Sequence, residues 1–337
     1  MFNNPQAGRE MDWELFLDGA VGNRQALIKE PFQNALRLFN GFTEGCPDLT
    51  VDLYGRTVLI TAGGTWDVLM EPIQAWVVKR LPFVQCVVQK IHGSPDPVKR
   101  RGSITYGEKP HHVIEENGVR YAINLMMNQD SSFYLDTRQL RVWLFEHAAG
   151  WQVLNTFAYT GSLGIAALAG GAQKVIQNDR NKRFLALSSQ SCRLNGLDEK
   201  KMDIHANDFF KEAAGFKKTQ RLFDCVILDP PFFSSTSGGT VDLVNQSMRL
   251  INKCRPLVKD GGRLVSINNA LFISGREVQA SLEGLSKDGY MQIETVIPIP
   301  EDITGYARVG AGYPADPYPY NHPTKITILK VRRKATS

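Results

Sequence analysis

From residue 151 onward, short apolar runs alternate with stretches whose apolar positions recur every three or four residues. The runs 153–157, 174–178, 202–206, 222–228, 263–268, 291–298 and 325–331 have the length and composition of strands, and helical periods lie between them. Strands alternating with helices predict a doubly wound, mainly parallel α/β sheet with its ligands at the carboxyl ends of the strands. The earlier chain is patterned differently. Residues 24–39 carry a helix-like apolar spacing that Pro31 interrupts, which predicts one or two short helices. Residues 48–61 read as two strands joined around Gly55, 66–80 as an amphipathic helix and 83–89 as a further strand. In 111–125, Glu116-Asn-Gly-Val119 stands between two alternating runs, and Asn-Gly is a strong signal for a two-residue hairpin turn. The expected organisation is an N-terminal helical segment 1–45, a small α+β module 46–127 for substrate or RNA recognition, and a domain 128–337 entered through a helix with Asp136 at its N-cap.

Composition narrows the class. A chain of 337 residues suggests two domains, and 43% hydrophobic with 22% charged residues is ordinary for a soluble globular protein. No apolar run approaches the roughly 20 residues that span a bilayer, and the N-terminus lacks a basic region followed by an apolar core, so a cytoplasmic protein without a membrane partner is expected. The five cysteines, 46, 86, 192, 225 and 254, are scattered without a Cys-x-x-Cys pair, which points to reduced thiols and no metal. A net charge of +5 permits a polyanionic partner without demanding one, and a homodimer remains open. The basic stretch 96–102 reads as a solvated surface loop in preference to a phosphate contact, and the Ser/Gly-rich 234–240 as a mobile loop.

Candidate chemistry sits at the ends of the later strands. Strand 153–157 runs into a turn holding Gly161, after which Ile165-Ala-Ala-Leu168 opens a packed helix. Glycine lets the backbone approach a ligand, and the first helix amides are unpaired donors, although an ordinary βα turn reads the same way. Asp179 closes the second strand 18 positions after Gly161, where a carboxylate can accept from both hydroxyls of a ribose or simply cap a helix. Asp208 follows the third strand, where an acceptor could meet an adenine amino group. The fourth strand ends in Asp229-Pro230-Pro231-Phe232-Phe233, a rigid, donor-poor turn able to hold a flat base by its amino group and stack it.

Taken in order, Phe157-Ala-Tyr-Thr-Gly161, Asp179, Asn207-Asp208 and Asp229-Pro-Pro-Phe232 resemble class I S-adenosylmethionine-dependent methyltransferases. With Tyr134-Leu-Asp-Thr-Arg138 added, the chain resembles the bacterial large-subunit ribosomal RNA methyltransferases from about Pro47 to the closing Asn321-His-Pro-Thr-Lys325. That resemblance implies a Rossmann-like seven-stranded sheet with an antiparallel last strand, and S-adenosylmethionine as cofactor. It implies that Phe157, Tyr159, Thr160 and Gly161 hold the methionine end, Asp179 the ribose and Asp208 the adenine, with Tyr134, Asp136 and Arg138 closing the pocket. Two departures stand out. Residues 1–45 leave no room for the PUA domain that the family places before the central module. Family members that make 5-methylcytosine carry a nucleophilic cysteine after the fifth strand, where this chain has Ser266-Ile-Asn-Asn269. A nitrogen needs no such thiolate, because its lone pair can attack the methyl in line. The expected reaction is methylation of a purine nitrogen, guanine foremost, in large-subunit ribosomal RNA. Asp229, Pro230 and Pro231 would orient the base, Phe232 would stack it and Asn268 would meet another edge. A small-molecule or protein methyltransferase, or a cofactor-binding RNA-interaction protein without catalysis, are the alternatives. A nicotinamide enzyme is disfavoured by the missing Gly-x-Gly-x-x-Gly.

Overall fold

The computed structural model describes residues 12–44, 46, 48–63, 66–304 and 322–333. Residues 1–11 of the expected N-terminal segment and Asn321 of the closing motif lie outside them. Contacts divide the chain into two units, the first reaching Leu135 and taking in residues 300–304, the second running from Asp136 to Ile299 and including residues 322–333.

In the first unit, helix α1 (Trp13–Arg24) is capped by Asp12, whose carboxylate accepts the Leu15 amide at 3.2 Å. Five strands follow in spatial order: β1 (Ala35–Asn40), β2 (Leu49–Tyr54), β3 (Thr57–Ala62), β4 (Cys86–Ile91) and β5 (Ser103–Tyr106). β1, β2 and β3 form an antiparallel meander, whereas β4 runs parallel to β3. A parallel step needs a crossover, which helix α2 (Met70–Arg80) supplies. Residues 35–40 form a strand where helical spacing was expected. Ala35, Leu36, Leu38 and Phe39 are all buried, so the period-2 alternation of a one-sided strand is lost and the paired apolar residues mimic a helix. The Asn-Gly hairpin is present as β6 (Val113–Glu116) and β7 (Val119–Ala122), with Asn117 at φ 53° and Gly118 at φ 75°, as a type I′ turn requires. On β4, the buried Lys90 ammonium donates to the carbonyls of Asn128, Gln129 and Asp130 at 2.7 to 3.3 Å, which fixes the segment leading to Tyr134.

The second unit is the α/β layer structure. Its strands are β8 (Gln152–Thr156), β9 (Lys174–Asn178), β10 (Met202–His205), β11 (Phe223–Leu228), the separate hairpin β12 (Phe233–Thr236) and β13 (Gly239–Asp242), then β14 (Val258–Asn268), β15 (Met291–Ile297) and β16 (Lys325–Val331). The main sheet has the order β10-β9-β8-β11-β14-β16-β15. Only the last strand, β16, runs antiparallel to its neighbours. Helices α3 (Arg138–His147), α4 (Ser162–Ala169), α5 (Lys182–Leu194), α6 (Phe209–Lys218), α7 (Ser247–Cys254) and α8 (Gly275–Ser286) connect the strands. The central strands are buried on both faces, and Leu154, Val226, Leu264 and Leu329 join Phe209, Leu250 and Leu282 in one core. The residues expected as a mobile loop form the β12–β13 hairpin instead. Its glycines allow the fit: a Cβ at Gly238 would lie 2.2 Å from Oδ1 of Asp208, and one at Gly239 2.9 Å from the Phe210 ring.

Candidate active site

Strand register sets the site. Thr156 is level with Asn178 on β9 and with Leu228 on β11, and Leu228 is level with Ser266 on β14. Phe157, Asp179 and Asp229 therefore leave the carboxyl edge of three adjacent parallel strands in one row, with Ile267 and Asn268 beside them. The order reverses between β8 and β11, which is where such a sheet opens a crevice for ligands.

The turn after β8 is unusual in its backbone. Phe157, Tyr159 and Gly161 have φ of 54°, 52° and 80°, and left-handed conformations at bulky residues persist only where the surroundings hold them. The Ala158 amide donates to Asn178 and the Tyr159 amide to Oδ2 of Asp179 at 2.9 Å. Beneath the turn, Gln177 donates to the Gly161 carbonyl at 2.9 Å and to Ser188 at 3.0 Å, and accepts from Asn155 at 2.8 Å. A Cβ on Gly161 would stand 2.4 Å from Ser188 Oγ. Glycine is required there on both grounds. Helix α4 starts at this glycine without a side-chain cap, so its first amides face the crevice end of the sheet unpaired by any cap. The ring of Phe157 lies 4.6 Å from Phe209 in the core and the ring of Tyr159 4.7 Å from Phe184.

The acidic residues differ in how they are held. Oδ1 of Asp179 accepts the Asn181 amide at 2.8 Å, and burial raises this carboxyl's pKa while the Asn181 and Tyr159 amides oppose the shift. Oδ1 of Asp208 caps α6 through the Phe210 and Lys211 amides. Asp136 is not the N-cap of α3, a place taken by Thr137. The helix begins one residue later, and Asp136 instead accepts the Thr324 hydroxyl through Oδ2 while Oδ1 is buried without a partner. Arg138 opens the helix, and Tyr134 belongs to the first unit, where it is exposed. Burial pushes the Asp229 carboxyl up to about 7, and the nearby charge of Asp136 adds to this.

Pro230 is buried, Pro231 exposed, and Phe232 stands 42% exposed. Asn268 is buried and its Oδ1 accepts the Ala270 amide at 3.0 Å, which holds its own turn. Its neighbour Asn269 is the residue that reaches the motif, with Nδ2 3.4 Å from the Pro230 carbonyl. All five cysteines are buried, and burial raises the thiol pKa of each, to about 11 at Cys46 and about 12 at Cys254. Among the described residues no cluster of His, Cys, Asp and Glu could hold a metal.

Residues 103–279, just over half of the chain, match the family model of the S-adenosylmethionine-dependent methyltransferases. The chain belongs to this family. Ribosomal RNA large subunit methyltransferase I of Aeromonas salmonicida is 30% identical over 228 residues, 64% of this chain and 56% of that protein. The chain thus spans a little over half the length of such relatives. YwbD of Bacillus subtilis, named as a ribosomal RNA large subunit methyltransferase, is 28% identical over 305 residues, 87% of this chain and 77% of its own length. The crystal structure of SMU.776, described as a methyltransferase complexed with SAH, superposes with a TM-score of 0.83 at 23% identity over 96% of this chain and 82% of that one. The tRNA m1G37 methyltransferase of M. jannaschii shares the fold at a TM-score of 0.56 and 15% identity, covering 86% and 78% of the two chains.

For a methyltransferase the described site fits its cofactor, S-adenosylmethionine. The glycine turn lets the backbone close on a ligand, uncapped amides head α4, and the buried, unpartnered Oδ1 of Asp136 is an acceptor awaiting a donor. Reading the sequence missed the supports: Asn155, Gln177 and Ser188 under the turn, Asn269 at the Asp-Pro-Pro-Phe loop, and Lys325 at the Ala270 carbonyl. Only the polar Asn155 and Gln177 within apolar strand runs could have flagged them.

Proposed function

We propose that this protein methylates a purine nitrogen, guanine foremost, in large-subunit ribosomal RNA. The observation that carries the reading is the Asp229-Pro-Pro-Phe232 turn at the carboxyl end of β11, whose Pro230 carbonyl is reached by Asn269, the residue just past the end of β14, with Asn268 and no cysteine at that strand end. The names of the Aeromonas and Bacillus relatives support RNA as the substrate, and the net charge of +5 suits it.

When bound, the cofactor supplies an electrophilic methyl carbon, which a nitrogen lone pair attacks in line as the carbon–sulfur bond breaks and its electron pair stays on sulfur. The chain's own residues hold the two partners at that distance. In this reading Asp136 accepts from the cofactor's ammonium through Oδ1, Asp179 accepts from the ribose hydroxyls, and the free Oδ2 of Asp208 accepts from the adenine amino group. Asp229 accepts from the amino group of the target base. A carboxyl titrating near 7 is matched to take the proton that the nitrogen must lose. Phe232, exposed beside it, stacks the base drawn out of its helix.

Nucleoside mass spectrometry of ribosomal RNA from cells with and without the protein tests the reading. A methylpurine that vanishes with the gene and returns with it is expected. An unchanged profile, or the loss of a carbon-methylated pyrimidine, rejects it.

A further inference from the structure

Phe272 is 71% exposed, the most exposed large apolar side chain among the described residues of the second unit. Slack does not explain this. Immediately before it, the Ala270 amide is held by Asn268, the Ala270 carbonyl accepts the ammonium of the buried Lys325, and the Leu271 carbonyl accepts the His322 amide at 2.9 Å. Immediately after it, Ser274 and Glu277 form a complete capping box that fixes the start of α8. The backbone is anchored on both sides while the ring is held out in water. An aromatic ring kept exposed on an anchored loop at a ligand crevice is suited to a flat partner.

Its position names that partner. The ring centroid of Phe272 lies 6.3 Å from that of Phe232, with the planes inclined at 59°. One base sandwiched between two rings needs parallel faces about 7 Å apart, twice a van der Waals contact of about 3.5 Å. The inclination excludes that sandwich, so the rings offer two separate faces. Their loops are joined by the Asn269 to Pro230 hydrogen bond, which keeps the two faces in fixed relation. Proteins that hold single-stranded nucleic acid place successive bases on successive aromatic side chains.

We infer that Phe272 is a second stacking residue, taking the nucleobase adjacent to the target in the RNA strand while Phe232 takes the target itself. The inference rests on the RNA reading above and adds a contact to the neighbouring nucleotide. Its chemistry is that of any base face, so the contact sets how the strand enters without dictating its sequence.

The test uses the full chain and ribosomal RNA from cells lacking it, then a short oligoribonucleotide spanning the mapped target nucleotide. Wild type must first methylate the ribosomal RNA; if it does not, the RNA reading itself falls and this inference with it. Phe272→Ala should raise KM for the oligoribonucleotide about 5- to 150-fold, the range for loss of one stacked base. Binding of S-adenosylmethionine should stay the same, and Phe272→Trp should restore KM. An abasic residue on one flank of the target should abolish the difference between Phe272→Ala and wild type. If wild type methylates the RNA and Phe272→Ala has unchanged KM, or its defect persists with an abasic residue on either flank, the inference is overturned and the RNA reading stands. A Phe272→Ala protein that loses a dimer in sedimentation while keeping its KM assigns the ring to a second copy of the chain and overturns the inference too.

Discussion

The carboxylate of Asp179 accepts the backbone amide of Tyr159 at 2.9 Å, so the end of β9 holds the turn that follows β8. A residue that reads in sequence as a ribose acceptor or a helix cap is thus also a brace for the cofactor turn. Asp179→Ala should weaken S-adenosylmethionine binding by about 1.5–3 kcal/mol, the range for a hydrogen bond to a charged group. Asp179→Asn, which keeps one carbonyl acceptor, should lose less. Calorimetric titration separates them; equal losses would make the role one of charge alone, and binding of NADH in place of S-adenosylmethionine would remove the assignment.

Asp229 gives a pH prediction with a definite sign. Its carboxyl is raised from 3.8 to about 7, so folding favours the protonated form. That contribution is fully present below about pH 4 and is lost as pH rises through about 7. Asp229→Asn cannot ionise, so its melting temperature should fall less than that of wild type between about pH 5 and pH 8. Each kcal/mol lost is worth roughly 2–4 °C in a unit of this size. Parallel melting curves across that range would show that Asp229 does not titrate there.

The β-strand edge was legible in sequence because glycine, aspartate and proline mark strand ends by composition, and β9, β11 and β16 fall within a residue of their apolar runs. β1 was not, because a strand buried on both faces carries no alternation. The hairpin at 233–242 was hidden by its Ser/Gly composition, since what orders it is contact with Asp208 and Phe210 far away in sequence. Asn268 and Asn269 are adjacent and chemically identical; which one faces the Asp-Pro-Pro-Phe loop depends on where β14 ends, and no local signal fixes that.

The target-base reading predicts a separation of effects. Phe232→Ala should lower methylation of RNA by an amount equivalent to about 1–3 kcal/mol while leaving S-adenosylmethionine affinity unchanged. Phe232→Tyr should retain most activity. If Phe232→Ala stays folded by thermal melting yet loses cofactor affinity in step with activity, the ring belongs to the cofactor pocket.

Chemistry at the thiols is predicted to be absent. All five cysteines are buried with raised pKa values, and β14 ends in Asn268 with Asn269 next in sequence. Individual Cys→Ser variants should therefore retain methyl transfer once corrected for stability. RNA carrying 5-fluorocytosine should form no covalent complex on denaturing gels, because that trap needs an enzyme thiolate. A shifted band would return the reaction to carbon methylation.

Gln177 has no direct role in the proposed chemistry, and this makes it the sharper test of the turn. It is fully buried on β9, and its amide nitrogen is shared between the Gly161 carbonyl and Ser188 while its oxygen accepts from Asn155. Gln177→Ala takes the acceptor from the buried Asn155 amide, at about 1–3 kcal/mol for a buried group left unsatisfied, and leaves the Gly161 carbonyl with the Ile165 amide as its remaining donor. The stability loss alone would be unremarkable for a core polar residue. The informative quantity is cofactor affinity measured at a temperature where the variant is still folded. Because Gln177 anchors the carbonyl of the residue that starts α4, its loss frees a turn whose residues 157, 159 and 161 hold left-handed conformations. The cofactor would then have to order that turn on binding, and its dissociation constant should rise in the folded variant. A Gln177→Ala protein with reduced melting temperature and wild-type affinity would mean that Asp179 and the Asn178 carbonyl alone suffice to hold the turn.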